Sequence, residues 1–171
     1  MVKKIYTSLA SFIADDLKAL KLLFFMVGLS FLSFAMFGAN VPIRGFIPHR
    51  LLNFLPAVTS FVLLFIVTLL PTTSERRQQL LSVFIYEINI IGVYILYATR
   101  FMDMYAYQFL VGYVLSTYFF KSKKSLAYFM LVINAGVLGV IFTSHSNSSG
   151  AFDFYVTYFA CQVVFAILYK Y

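Results

Sequence analysis

The sequence predicts an all-α fold: an integral membrane bundle of six transmembrane helices with both termini on the cytoplasmic side (N-in/C-in). Three observations predict it. Apolar residues make up 62% of the 171 residues and charged residues 11%, whereas a soluble domain carries about 45–50% and about 25%. That leaves too few charges to cover a water-facing surface. Six runs approach the roughly 20 apolar residues that a bilayer-crossing helix needs. The basic residues cluster at the ends of these runs rather than along one stripe. That is how membrane proteins set topology, and it argues against nucleic acid as the partner of the net charge of +7.

Residues 1–19 precede the bundle, and residues 20–171 form it. Over residues 2–20 Val2, Ile5, Leu9, Phe12, Ile13, Leu17 and Leu20 recur at helical spacing, with Lys3, Lys4, Asp15, Asp16 and Lys18 mostly off that stripe. This predicts an amphipathic helix on the inner membrane surface or packed on the cytoplasmic loops. The first span is read over 20–39. Its apolar run is too long for a cleaved signal peptide, and no small-x-small site follows it. The loop "NVPIRGFIPHRLLNFLP" either dips back toward the membrane or is a connector whose prolines start the next span. The remaining spans are read over 53–71, 79–99, 104–120, 125–143 and 152–169.

Orientation follows from the basic residues. With the N-terminus inside, ten lie in inner segments (Lys3, Lys4, Lys18, Lys21, Arg76, Arg77, Lys121, Lys123, Lys124, Lys170) and three in outer ones (Arg44, Arg50, Arg100). The expected location is the bacterial cytoplasmic membrane, and the lipid bilayer is the first partner.

One acid, Glu87, falls inside the aromatic run "FIYEINIIGVYILY". An ionised carboxylate in hydrocarbon costs several kcal/mol unless paired, so Glu87 is expected to be protonated or hydrogen-bonded. At the helical rise it lies about 12 Å from the cytoplasmic edge. Helical spacing puts Tyr86, Glu87, Asn89, Tyr94 and Tyr97 on an inward side, and Ile85, Ile88, Ile91, Gly92, Ile95 and Leu96 toward lipid. Candidate partners for the acid are the tyrosines of its own helix, Gln108, Asn134, Gln162, Thr59 and Ser60. It is expected to point toward Asn134 or Gln162. Three readings stay open: interhelical glue, a ligand- or ion-binding group, or a residue nearer the headgroups. The candidate ligand-binding set is Glu87, Tyr86, Asn89, Tyr94, Gln108, Asn134 and Gln162. Deep aromatics such as Tyr113 either line a pocket for a small amphipathic ligand or simply pack. Ala135, Gly136 and Gly139 favour a close helix contact within the bundle or between subunits.

Catalysis is not expected. Paired carboxylates, in-span histidines for haem and an in-span lysine for a retinal Schiff base do not occur. "NSSGAF" falls in the last outer loop rather than at a helix start, which argues against an intramembrane serine protease. His49 and His145 lie far apart in connecting segments, and Cys161 is the single cysteine, so no metal or disulfide framework is expected. No cofactor is implied.

Six spans, the turn "TLLPTTSERRQQLL", the tight turn "YATRFMDMYAYQFL" and the ending "FAILYKY" resemble the N-terminal sensor region of bacterial membrane receptors. The types in question are quorum-sensing histidine kinases for small hydroxyketone signals and membrane-associated cyclase sensors. Those proteins often carry Trp in the outer turns, and this chain has none. The resemblance implies a small, partly apolar ligand, signalling through the last helix, and an output domain after Tyr171 or a separate cytoplasmic partner, with a homodimer also possible. Size and topology are equally similar to the substrate-binding subunits of energy-coupling-factor vitamin importers. A structural membrane subunit is a further alternative, because fold does not choose among them.

Overall fold

The structure, a computed structural model, describes residues 16–37, 49–99, 103–120, 122–143, 154–160, 162 and 163. It contains five helices: α1 (Leu17–Phe37), α2 (His49–Leu69), α3 (Ser74–Thr99), α4 (Asp103–Thr117) and α5 (Lys123–Thr143). A last helical segment covers residues 154–160, with 162 and 163 also helical. No strand occurs among the described residues. Among the described residues four helices, α1, α2, α3 and α5, are long and apolar enough to cross a membrane. Residues 1–15 of the surface helix expected over 1–19, residues 38–48 of the first outer loop, the loop around His145, and Cys161 lie outside the described residues, while residues 17–19 belong to α1.

Side chains that cap backbone N–H groups set the helix starts. Asp16 Oδ1 accepts from the N–H groups of Lys18 (2.8 Å) and Ala19 (3.3 Å). Thr73 Oγ1 accepts from Arg76 N (3.3 Å), and Ser122 Oγ from Ser125 N (3.4 Å). The Thr73 cap is why α3 begins at Ser74 rather than 79: "SERRQ" is polar but helix-forming, so the helix projects beyond the apolar run. α4 stops at Thr117 rather than 120. Its end tightens into i→i+3 bonds, Tyr118 N to Leu115 O and Phe119 N to Ser116 O. The described α4 has 15 residues. His49, expected in a connector, opens α2.

Outward faces are apolar. On α2, Leu51, Leu55, Val58, Val62, Phe65 and Leu69 are all exposed, one stripe at helical spacing that suits lipid. Serines and threonines return their hydroxyls to their own helix: Ser30 to Met26 O, Ser82 to Gln78 O, Thr99 to Ile95 O and Thr143 to Gly139 O, at 2.7–2.9 Å. That is the economical arrangement where no water can take the bond.

The sides assigned to α3 need correction. Ile85, Ile91 and Leu96, expected to face lipid, are buried, and Tyr97, expected inward, is 43% exposed. The outward stripe is Val83, Ile90 and Tyr97, seven residues apart. A helix that is apolar around most of its circumference carries little facing signal, and neighbours cover all but a narrow strip of this one.

The chain divides into two compact units, within Ser11–Ile88 and within Asn89–Tyr171. In the first, α1 packs closely on α2. A Cβ on Gly28 would meet Ser60 Cβ and the Phe61 ring at 3.1 Å. Four residues join α2 to α3, too few to run back along α2, so these two helices are antiparallel. In the second unit a Cβ on Gly92 would come within 2.7 Å of the Phe109 ring, and one on Gly136 within 3.3 Å of Val93. Gly136 therefore makes the close helix contact, while Gly139 faces open space and Ala135 is exposed.

Two glycines give a contrast to test. Gly28→Leu should lose about 1–3 kcal/mol of stability through overpacking between α1 and α2, whereas Gly139→Leu should change it by no more than about 0.5 kcal/mol. Thermal unfolding in detergent, monitored by circular dichroism, checks the order; equal losses would contradict the packing.

Candidate functional site

Two polar clusters lie within the helices, one in each unit. In the first unit Thr59 Oγ1 of α2 donates to Glu87 Oε1 of α3 at 2.9 Å, both side chains being partly buried. Thr59 is one of the partners expected from sequence, and the bond gives the carboxyl group a donor on a neighbouring helix. Ser60, the adjacent expected partner, is fully buried, and its Oγ has no hydrogen-bond partner. Tyr86 is half-buried beside the acid in sequence.

The second cluster is larger. Asn134 of α5 and Gln162 of the last helical segment form a reciprocal amide pair. Asn134 Nδ2 donates to Gln162 Oε1 at 3.2 Å, and Gln162 Nε2 donates back to Asn134 Oδ1. The same Asn134 oxygen accepts from the Tyr158 hydroxyl at 2.5 Å, and Gln162 Nε2 also donates to the Tyr113 hydroxyl of α4 at 3.4 Å. Both N–H groups of Gln162 and both lone pairs of Asn134 Oδ1 are thereby engaged.

Aromatic rings enclose the network. The Tyr113 ring lies 5.1 Å from Tyr158, 5.7 Å from Phe129 and 6.2 Å from Phe109, centroid to centroid. Phe154 stacks on Tyr158 at 5.8 Å, and Phe120 lies 4.7 Å from Phe129. Such pairs prefer offset and edge contacts at these separations. Phe129, Tyr113, Tyr158 and Phe154 are buried and the two carboxamides partly so, which strengthens the hydrogen bonds on the side that faces the rings.

Asn89 makes a separate contact in this unit. It is buried, and its Nδ2 donates to Ser116 Oγ at 2.8 Å, which in turn donates to Gly112 O at 2.7 Å. This chain ties α3 to α4 where Gly92 lets Phe109 approach.

The seven residues of the sequence-derived set are divided between the two units, Tyr86 and Glu87 in the first and the other five in the second. Glu87 bonds Thr59, while Asn134 and Gln162, its expected neighbours, bond each other. Tyr94 stands 6.3 Å from Tyr97, ring to ring, along α3. Gln108, expected inward, is exposed on α4 with Tyr107 and Val111. Tyr158 and Ser116 complete the two bonded sets without having been expected. The signal for Tyr158 is its spacing four residues before Gln162, which puts both on one helix face. Among the described residues no group of three or more His, Cys, Asp and Glu could hold a metal ion. No protein-family model, curated protein or solved structure matches the chain.

Both clusters can be probed by substitution. Asn134→Leu and Gln162→Leu should each lower stability by about 0.6–1.7 kcal/mol, the range for interhelical hydrogen bonds in membranes. The double variant should lose clearly less than the sum, because neither side chain is then left unpaired; additive losses in a detergent unfolding cycle would contradict the pairing. Glu87→Gln should leave the unfolding midpoint almost unchanged, since an amide oxygen still accepts from Thr59. Marked unfolding of that variant would mean that the native group is ionised and paired.

Proposed function

We propose that the chain is a sensory or regulatory membrane domain, a six-span bundle with both termini in the cytoplasm. In this reading a small, partly apolar ligand binds at the aromatic and carboxamide cluster of Tyr113, Asn134, Tyr158 and Gln162. The change passes through the last helix to an output domain or partner, as in the bacterial receptors that the sequence resembles. The chain itself performs no catalytic step.

One observation carries the reading: a single hydrogen-bonded network joins the last helical segment to α4 and α5 inside an aromatic surround. A network with most of its bonds made opens readily only to a molecule that restores them. The matching ligand therefore carries at least one donor and one acceptor on an apolar body, such as a hydroxyketone. A ligand that binds the opened arrangement better than the closed one shifts the population, and the last helix moves with it.

The chain contains 13 tyrosines and no tryptophan, so its intrinsic emission reports on tyrosine alone. Titrating medium-chain hydroxyketones into the protein in lipid nanodiscs should give a saturable change in that emission. Tyr158→Phe should weaken binding about tenfold, equivalent to about 1.4 kcal/mol. Accumulation of the probe in vesicles supplied with an energising partner would favour an importer subunit instead. Absence of saturable binding across the panel would leave the cluster as interhelical glue and sink the sensory reading.

A further inference from the structure

We propose that the starts of α1 and α3 together form a binding site for the phosphate headgroup of an anionic phospholipid, held by Arg77 and Lys21. Arg77 stands on the inward stripe of α3. It precedes Leu81 by four residues and Phe84 by seven, and both of those are buried. Its Nε is buried and has no hydrogen-bond partner. Lys21 belongs to the corresponding stripe of α1, three residues before Phe24 and seven before Gly28, both of which are buried. Lys21 is itself half-buried.

Two contacts set the direction of α1. Phe24 meets Phe84 edge to face at 5.5 Å. Gly28 abuts Ser60, whose neighbour Thr59 is level with Glu87. Moving from Gly28 to Phe24 thus follows α3 toward its start, so α1 and α3 begin at the same end of this unit. From the paired rings, Lys21 lies about 4.5 Å and Arg77 about 10.5 Å toward that end. The two cations are about one helical turn apart in depth.

The described acids at this end are placed otherwise. Asp16 caps α1, its Oδ1 accepting from two backbone N–H groups. Glu75 is exposed in the first turn of α3, next to exposed Arg76, and Lys18 is exposed on α1. Among the described residues no acid is bonded to the half-buried ammonium or to the guanidinium with its unused donor, so the two cations call for an anion that the described residues do not supply.

Phosphate fits that need. The guanidinium fork matches two phosphate oxygens, and the ammonium adds a point charge. The source is lipid, because both helices are long and apolar enough to cross a membrane, which sets their starts at headgroup depth. Two cations select an anionic headgroup over phosphatidylcholine, whose own choline brings a positive charge.

The test is native mass spectrometry of the full chain with phosphatidylglycerol and phosphatidylcholine added in parallel. Wild type should retain phosphatidylglycerol in preference. Arg77→Gln and Lys21→Gln should each lower its apparent affinity roughly fivefold, the effect of one basic residue at an anionic surface. Lys124→Gln on α5 should change it less than twofold. Lys21 is partly exposed, so its variant remains informative if Arg77→Gln fails to fold. Equal retention of both lipids, or an equal loss with Lys124→Gln, would overturn the site. Displacement of the lipid by millimolar inorganic phosphate would assign the cations to a free anion and overturn the lipid.

Discussion

In hydrocarbon an unmade hydrogen bond costs several kcal/mol, because no water is present to replace the missing partner. That constraint governs where the polar side chains of this protein go. Ser30, Ser82, Thr99, Thr117 and Thr143 turn back to carbonyls of their own helices. Residues that cannot do so find a partner on another helix: Glu87 with Thr59, Asn89 with Ser116, and Asn134 with Gln162 and Tyr158. Each cross-helix bond also fixes which helices are neighbours, so the same few side chains that solve the solvation problem define the packing.

The clusters differ in how completely they are satisfied. The carboxamide network uses nearly all of its bonding capacity and is walled by rings, whereas Glu87 receives one described bond and Ser60 Oγ receives none. A satisfied network in an apolar surround resists opening unless something replaces its bonds. Its reach from α4 through α5 to the last segment is what would let a local replacement become a helix movement.

Much of the helical layout was legible in the sequence because length and apolarity set it. The boundaries moved by a few residues where caps such as Thr73 extend a helix through polar residues. Facing was less legible. Ile85, Ile91 and Leu96 are buried because α3 is apolar on nearly every side, so its pattern does not tell a neighbouring helix from lipid. The polar residues of the candidate site were visible one by one, yet which pairs they form depends on which helices adjoin. Asn134 and Gln162 were both expected near Glu87; each carries a donor and an acceptor, and they satisfy each other. Gln108, chemically similar, is outside because nothing in its own sequence neighbourhood fixes the rotation of α4.

The most direct test of this polar economy is solid-state NMR of the protein in lipid bilayers, with asparagine, glutamine and serine isotopically labelled. Asn134 and Gln162 should show a mutual through-space contact of hydrogen-bond length, alongside the contact between Asn89 and Ser116. A spectrum that shows the Asn89 contact but none between Asn134 and Gln162 would contradict the network on which the proposed ligand response depends.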